Sequence, residues 1–299
     1  MKILLLGGNG QVGRELGRSL PVLGEVIVAT RDGEGADAAA DFDQPQSLAA
    51  LIETIAPDIV VNAAAYTAVD KAETDVDAAF RINAEAPATI AGACKVIDAL
   101  LVHYSTDYVF DGRAAHPYLE DHATAPLGVY GASKLAGEQA VRDSGARHAI
   151  LRTAWVYAAH GKNFLLTMLR LAADRDELRV VADQFGAPTP AAWIADATTA
   201  LLRQRVAESG TWHLTTRGET NWHGFATAIM DEAHEMGLLQ RKPVVLPITT
   251  AEYPTPAHRP AYSVLDTTRL QQDFGIVPPS WQDGLKQTLT ALSALRRDR

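Results

Sequence analysis

The sequence predicts an α/β protein, a doubly wound parallel sheet of Rossmann type carrying a smaller C-terminal α/β lobe. Three observations predict it. An apolar run over 2–6 opens directly into glycines at 7, 10 and 13; short apolar runs then recur with helix-length intervals between them; and after Arg152 the pattern turns irregular, rich in aromatic residues and proline.

Lys2 to Leu6 is a continuous apolar run, as expected of a parallel strand buried on both faces. Beyond the glycines Val12, Leu16 and Leu20 recur at helical spacing, so the unit is strand, tight turn, helix. Gly7, Gly10 and Gly13 permit the turn and leave no side chain between the backbone and a pyrophosphate. Gln11 and Val12 open a helix whose free N–H groups and dipole attract an anion, which favours dinucleotide binding over an empty glycine loop. A second strand over 25–29 ends at Arg31 and Asp32, where the adenosine ribose of a dinucleotide lies. Arg31 suits a 2'-phosphate and Asp32 a free ribose hydroxyl, although either residue also fits a solvated turn; NADPH is the expected cofactor and NADH stays open. Phe42 precedes a helix over 45–54 with proline at its start, placed either to flank an adenine or to fill the core.

A third strand over 58–62 runs into Ala63, Ala64 and Ala65, small residues that let the backbone approach a cofactor or pack tightly. A helix is expected over 75–95, with Asn83 either exposed or turned toward the site. The fourth strand, 100–105, delivers Ser105 and Thr106 to the carboxyl edge of the sheet, where ligands bind, and both can hydrogen-bond a substrate carbonyl. A loop over 111–128 leads to a helix beginning near Tyr130, and a fifth strand covers 148–153. Tyr130 and Lys134 stand four apart, on one helix face. A lysine cation beside the phenol favours the phenolate, making it usable for proton transfer near neutral pH, although spacing alone fits a solvated face equally well.

The second half should hold a helix from 164 to 173, strands over 179–181 and 211–214, the latter returning to the main sheet, and helices over 193–204, 225–236 and 281–295, with a proline-rich run over 243–260.

With 299 residues, 47% of them hydrophobic, the chain can bury a large core. Lys and Arg number 27 against 36 Asp and Glu, and the net charge of -9 argues against a broad electrostatic grip on nucleic acid or an anionic membrane. Cys94 is the single cysteine, which excludes an internal disulfide and fits a reducing compartment. The nine histidines show no paired spacing for a metal, so none is expected. No apolar run approaches the roughly 20 residues of a membrane span, and the apolar start is too short for a secretory signal, so a cytoplasmic location is expected.

The glycine turn, Ser-Thr after the fourth strand and Tyr-x-x-x-Lys after the next loop together resemble the extended short-chain dehydrogenase/reductase family. Within it, the stretches 7–13, 62–73, 105–110, 130–134 and 183–189 resemble the dTDP-4-dehydrorhamnose reductase branch over nearly the whole chain. The resemblance implies NADPH-dependent reduction of the C4 ketone of a dTDP-linked 6-deoxy-hexulose, with Thr106, Tyr130 and Lys134 catalytic. It implies Asp41, Phe42 and Ala63 to Ala65 at the cofactor, and Asp107, Trp155, Asn163 and Arg259 at the sugar nucleotide. The corresponding division assigns 1–153 and about 192–216 to dinucleotide binding, and about 154–191 and 217–299 to the sugar nucleotide. Some family members dimerise through magnesium, using an acidic residue shortly after Ala-Pro-Thr. Here Pro190-Ala191-Ala192-Trp193 follows and the first carboxylate is Asp196, so a homodimer of another kind is expected. The competing readings are an epimerase or dehydratase of the same family and a non-catalytic regulatory subunit. The residues Thr106, Tyr130 and Lys134 weigh against the second, and Tyr108 after Asp107 weighs against a dehydratase.

Overall fold

The computed structural model describes residues 1–204, 206 and 208–297; positions 205, 207, 298 and 299, inside the expected 192–216 and 217–299 stretches, lie outside the described residues. The strands β1 (Lys2–Leu6), β2 (Glu25–Thr30), β3 (Ala38–Ala39), β4 (Ile59–Asn62), β5 (Leu100–Thr106) and β6 (His148–Thr153) appear in order. The chain then leaves through β7 (Val156–Tyr157), β8 (Glu177–Val181), β9 (Phe185–Gly186) and β10 (Thr189–Pro190). It returns for β11 (Gly210–His213), before β12 (Thr220–Asn221) and β13 (Val244–Ile248). Seven strands form one parallel sheet in the order β11-β6-β5-β4-β1-β2-β3. The order reverses between β1 and β4, and a doubly wound sheet opens its ligand crevice at that point. The expected fold class and the return of 211–214 to the sheet both hold.

Alternate residues of each strand feed opposite faces. Ile3, Leu5, Val61 and Val102 pack with α1 (Gln11–Ser19) and a later helix, 191–203, while Leu4, Leu6, Val60 and Leu101 pack under α2 (Pro45–Ile55) and the helical stretch 76–96. Each such fully buried aliphatic side chain contributes about 1.5–3 kcal/mol.

The expected helix over 75–95 is instead three pieces preceded by a short turn of helix, α3 (Val69–Ala72). The pieces are α4 (Val76–Phe80), a wide π turn (Arg81–Glu85) and α5 (Ala86–Val96). Helix α6 (Val129–Asp143) crosses this turn. Gly137 is the residue at the crossing, where an added Cβ would stand 2.0 Å from the Asn83 carbonyl.

A third core lies apart from the sheet. It gathers α7 (Phe164–Asp174), α9 (Trp222–Glu235) and α11 (Trp281–Arg297) through Leu165, Leu169, Phe225, Ile229, Leu285 and Leu289. Between them in sequence, α8 (Ala191–Arg203) and α10 (Thr268–Phe274) place Ile194, Leu201 and Leu270 in the first core. Strand β13, inside the proline-rich run, pairs in parallel with β8. Pro247 is tolerated because the sheet has only two strands and so only edges. No helix among the described residues is long and apolar enough to cross a membrane.

Candidate active site

A cavity of about 1120 Å³ opens at the carboxyl ends of β1, β4, β5 and β6, over the point where the strand order reverses. Its floor is the glycine turn. Gly7 has φ +80° and donates to the Ala29 carbonyl at 3.0 Å; a Cβ there would stand 2.7 Å from the Ala64 nitrogen, and one at Gly13 2.0 Å from the Gly7 carbonyl. The chain therefore keeps a bare backbone facing the cavity at the start of α1, with Gly10, Gln11 and Val12 lining it.

Ala63, Ala64 and Ala65 form the adjoining wall. Asn62 Oδ1 accepts from the Ala64 N–H at 3.1 Å, and Asn83, fully buried in the π turn, accepts from the Tyr66 N–H at 2.9 Å while donating to Ser133 Oγ at 3.0 Å. Asn83 thus shapes the wall from behind and does not face the cavity. Arg31 and Phe42 line the end of the cavity beyond β2, where Phe42 is 5% exposed and serves both core and cavity. Arg31 is held by Asp43 at 2.6 Å, and Arg81 grips the same carboxylate at 3.0 Å. Asp41, expected at the cofactor, does not line the cavity. Its oxygens accept from the Asp43 N–H and the Gln44 amide and close the turn before α2. Asp32 likewise accepts from the Glu34 N–H at 3.1 Å and lies outside the cavity.

At the centre stand Thr106, Tyr130 and Lys134. Thr106, last residue of β5, donates from Oγ1 to Asp107 Oδ1 at 3.0 Å and accepts from the Tyr108 N–H at 3.2 Å. Burial raises the Asp107 carboxyl to about 6, opposed in part by the side chains of Ser263 and Thr106. Burial likewise pushes the Tyr130 phenol up to about 12, eased by Thr106 and reinforced by the Asp107 charge. Lys134 does not pull the phenol down, contrary to the expectation from spacing: its ammonium donates to the Tyr104 carbonyl at 2.6 Å. Burial lowers this lysine to about 8, against the attraction of Glu138 one turn further along α6. Glu138 is itself fully buried and receives Arg152 through two bonds, at 2.8 and 2.7 Å, and Arg142 at 2.7 Å. Against the effect of burial, these cations hold its carboxyl well below the usual range.

The opposite wall comes from the second half of the chain. Trp155 has φ +48° and stacks on Trp222 with ring centroids 3.6 Å apart. Arg259 reaches across to Asp70 of α3 at 2.8 Å. Asn163, expected at the sugar nucleotide, does not line the cavity: its oxygen caps α7 by accepting from the Leu166 N–H at 3.0 Å, and its amide donates to Gln11 at 2.8 Å. Sequence reasoning missed Trp222, and it missed Tyr108, whose ring stands edge-on to Tyr130 at 5.6 Å. Tyr108 lies inside the stretch 105–110; Trp222 carried no local signal, because only the tertiary fold brings it to Trp155.

The family model for the RmlD substrate binding domain matches residues 1–294. The chain is 51% identical to the dTDP-4-dehydrorhamnose reductase of Burkholderia thailandensis over 94% of this chain and 96% of that protein. It is 47% identical to the enzyme of the same name from Escherichia coli K12, over 98% of each. Among solved structures, the Bacillus anthracis dTDP-4-dehydrorhamnose reductase in complex with NADP superposes with a TM-score of 0.90 at 35% identity, covering 97% of this chain and 99% of that one. With its glycine turn, its Thr-Tyr-Lys centre and this likeness along its whole length, the chain belongs to the RmlD family of dTDP-4-dehydrorhamnose reductases.

Proposed function

We propose that this protein reduces the C4 ketone of dTDP-4-dehydro-L-rhamnose to dTDP-L-rhamnose with NADPH. One observation carries the chemistry: Thr106, Tyr130 and Lys134 converge in the cavity whose floor is the bare glycine turn. The missing Cβ atoms at Gly7 and Gly13 leave room for a pyrophosphate, and Arg31 offers a cation for a 2'-phosphate, so the residues fit a dinucleotide. Gly10, Gln11, Val12, Phe42 and Ala63 to Ala65 would line it, with Lys134 at the nicotinamide ribose. NADPH supplies the hydride.

The side chains handle the proton. Thr106 turns its hydroxyl proton from Asp107 Oδ1 to the ketone oxygen and fixes its direction. Tyr130, neutral at physiological pH because its phenol is held near 12, donates its proton to that oxygen as negative charge develops. The phenolate left behind regains its proton from solvent, while Lys134, held on the Tyr104 carbonyl, keeps its cation for the nicotinamide ribose. Trp155, Asp107 and Arg259 meet the sugar nucleotide, Arg259 by exchanging Asp70 for a diphosphate oxygen.

In this reading the stretches 1–153 and 192–216 hold the cofactor, and 154–191 and 217–299 the sugar nucleotide, in a cytoplasmic enzyme. Any homodimer is not bridged by magnesium, since 190–195 offers no carboxylate and Asp196 is occupied by Arg18 at 2.7 Å. The test follows NADPH oxidation with dTDP-4-dehydro-L-rhamnose. Wild type turns over, and Tyr130→Phe loses about 10²–10⁴ in kcat; an undiminished mutant would remove the acid role from Tyr130.

A further inference from the structure

The cavity is lined by six lysine and arginine side chains: Arg14, Arg31, Lys71, Lys134, Lys162 and Arg259. Arg31, Lys71 and Arg259 already hold Asp43, Asp75 and Asp70 respectively, and Lys134 is buried against the Tyr104 carbonyl. Among the described residues, Arg14 and Lys162 alone of the six have neither a carboxylate within salt-bridge reach nor a side-chain hydrogen bond, and in a chain of net charge -9 an unspent cation at a ligand cavity is informative.

Lys162 is the better placed, because the backbone that carries it is fastened to the start of α1. It lies in the strap 158–163 between β7 and α7. The amide of Asn163 donates at once to the Gln11 side chain, at 2.8 Å, and to the strap's own carbonyls at Ala158 and His160, at 2.9 and 3.1 Å. His160 meets Glu15 of α1 at 3.0 Å. Gly161, at φ +76°, lies so close over Gln11 that an added Cβ would stand 3.3 Å from its Cγ. The strap is thus pinned on both sides of Lys162 to the first two turns of α1, the first of which lines the cavity.

We propose that Lys162 is a cofactor-binding residue, presented from the far half of the molecule to the dinucleotide's pyrophosphate at the N-terminus of α1. This rests on the reading of the cavity as a dinucleotide site. The strap then performs two tasks: it covers the pyrophosphate and adds a point charge to the backbone N–H groups beneath it.

The test is titration of wild type, Lys162→Gln and Lys162→Arg with NADPH, NADH and dTDP, followed by calorimetry. Lys162 is exposed, so its replacement leaves the folded protein intact, which thermal unfolding verifies. Loss of one charge-assisted contact should raise the NADPH and NADH dissociation constants of Lys162→Gln alike by about tenfold. Lys162→Arg should recover most of the affinity, and dTDP binding should not change. Unchanged dinucleotide affinity overturns the proposal, as does a loss confined to NADPH, which would place the lysine at the 2'-phosphate, or a loss confined to dTDP, which would place it on the sugar nucleotide. Failure of wild type to bind either dinucleotide would instead overturn the dinucleotide reading itself.

Discussion

Lys134 keeps an ammonium where only 2% of the residue is exposed, and the Tyr104 carbonyl is its one direct partner among the described residues. Its charge is present below about 8 and is lost as pH rises through that value. Tyr130 stays protonated across the same range, so the alkaline limit on ketone reduction should belong to the lysine. The kcat/KM for the ketosugar should be level near neutrality and fall above pH 8 with the slope of a single deprotonation. In Lys134→Arg, whose charge persists, that alkaline limb should move up out of range; a limb that stays in place would assign it to another group. At this scale the sequence showed which residue types belong together but not where each points. Asp41 and Asn163 were expected at ligands and instead close a turn and cap a helix, because both residue types serve backbone N–H groups as readily as they serve ligands. Their direction depends on neighbours as distant as Gln11, 152 positions from Asn163.

Among the elements, α6 does most to assemble the site, since one face of it carries Tyr130, Lys134 and Glu138 while Gly131 and Gly137 let it lie close to its neighbours. A Cβ at Gly131 would stand 2.2 Å from the Tyr108 carbonyl, and at Gly137 2.0 Å from that of Asn83. Gly137→Ala gains helix propensity of about 1 kcal/mol, but the collision is with backbone and relief requires α6 to lift. The expected net effect is a loss of about 1–3 kcal/mol in urea unfolding, with weaker NADPH binding because Asn83 also sets the loop at Tyr66. A mutant as stable as wild type would mean that the π turn yields freely. Continuous apolar runs made β1, β4 and β5 legible in the sequence, and helical spacing made α1 so. The π turn was not, because its extra residue leaves the apolar pattern around it nearly unchanged, and β13 was hidden by the prolines that an edge strand permits.

For the whole molecule, the doubly wound parallel class followed from strand and helix alternation and the return of 211–214 to the sheet was expected, whereas the strand order and the rest of the second half's path were not legible. After β6 the chain enters the third core, comes back as α8 and β11, departs again for α9, comes back once more as α10 and ends in α11. The returns are firmly anchored: Trp212 of β11 donates to Asp273 of α10 at 2.8 Å and packs edge-on against Phe274 at 5.1 Å. Tryptophan fluorescence and far-UV circular dichroism should therefore report one coincident urea transition, and two separated transitions would show that the cores unfold independently. This interlacing also bears on how such a protein can be altered. A piece ending at residue 153 would keep the glycine turn and the Thr-Tyr-Lys centre but lose the sheet's edge strand and the helix that covers α1. Exchanging the stretch after residue 153 therefore exchanges an edge strand and a helix of the sheet's own core along with the third core.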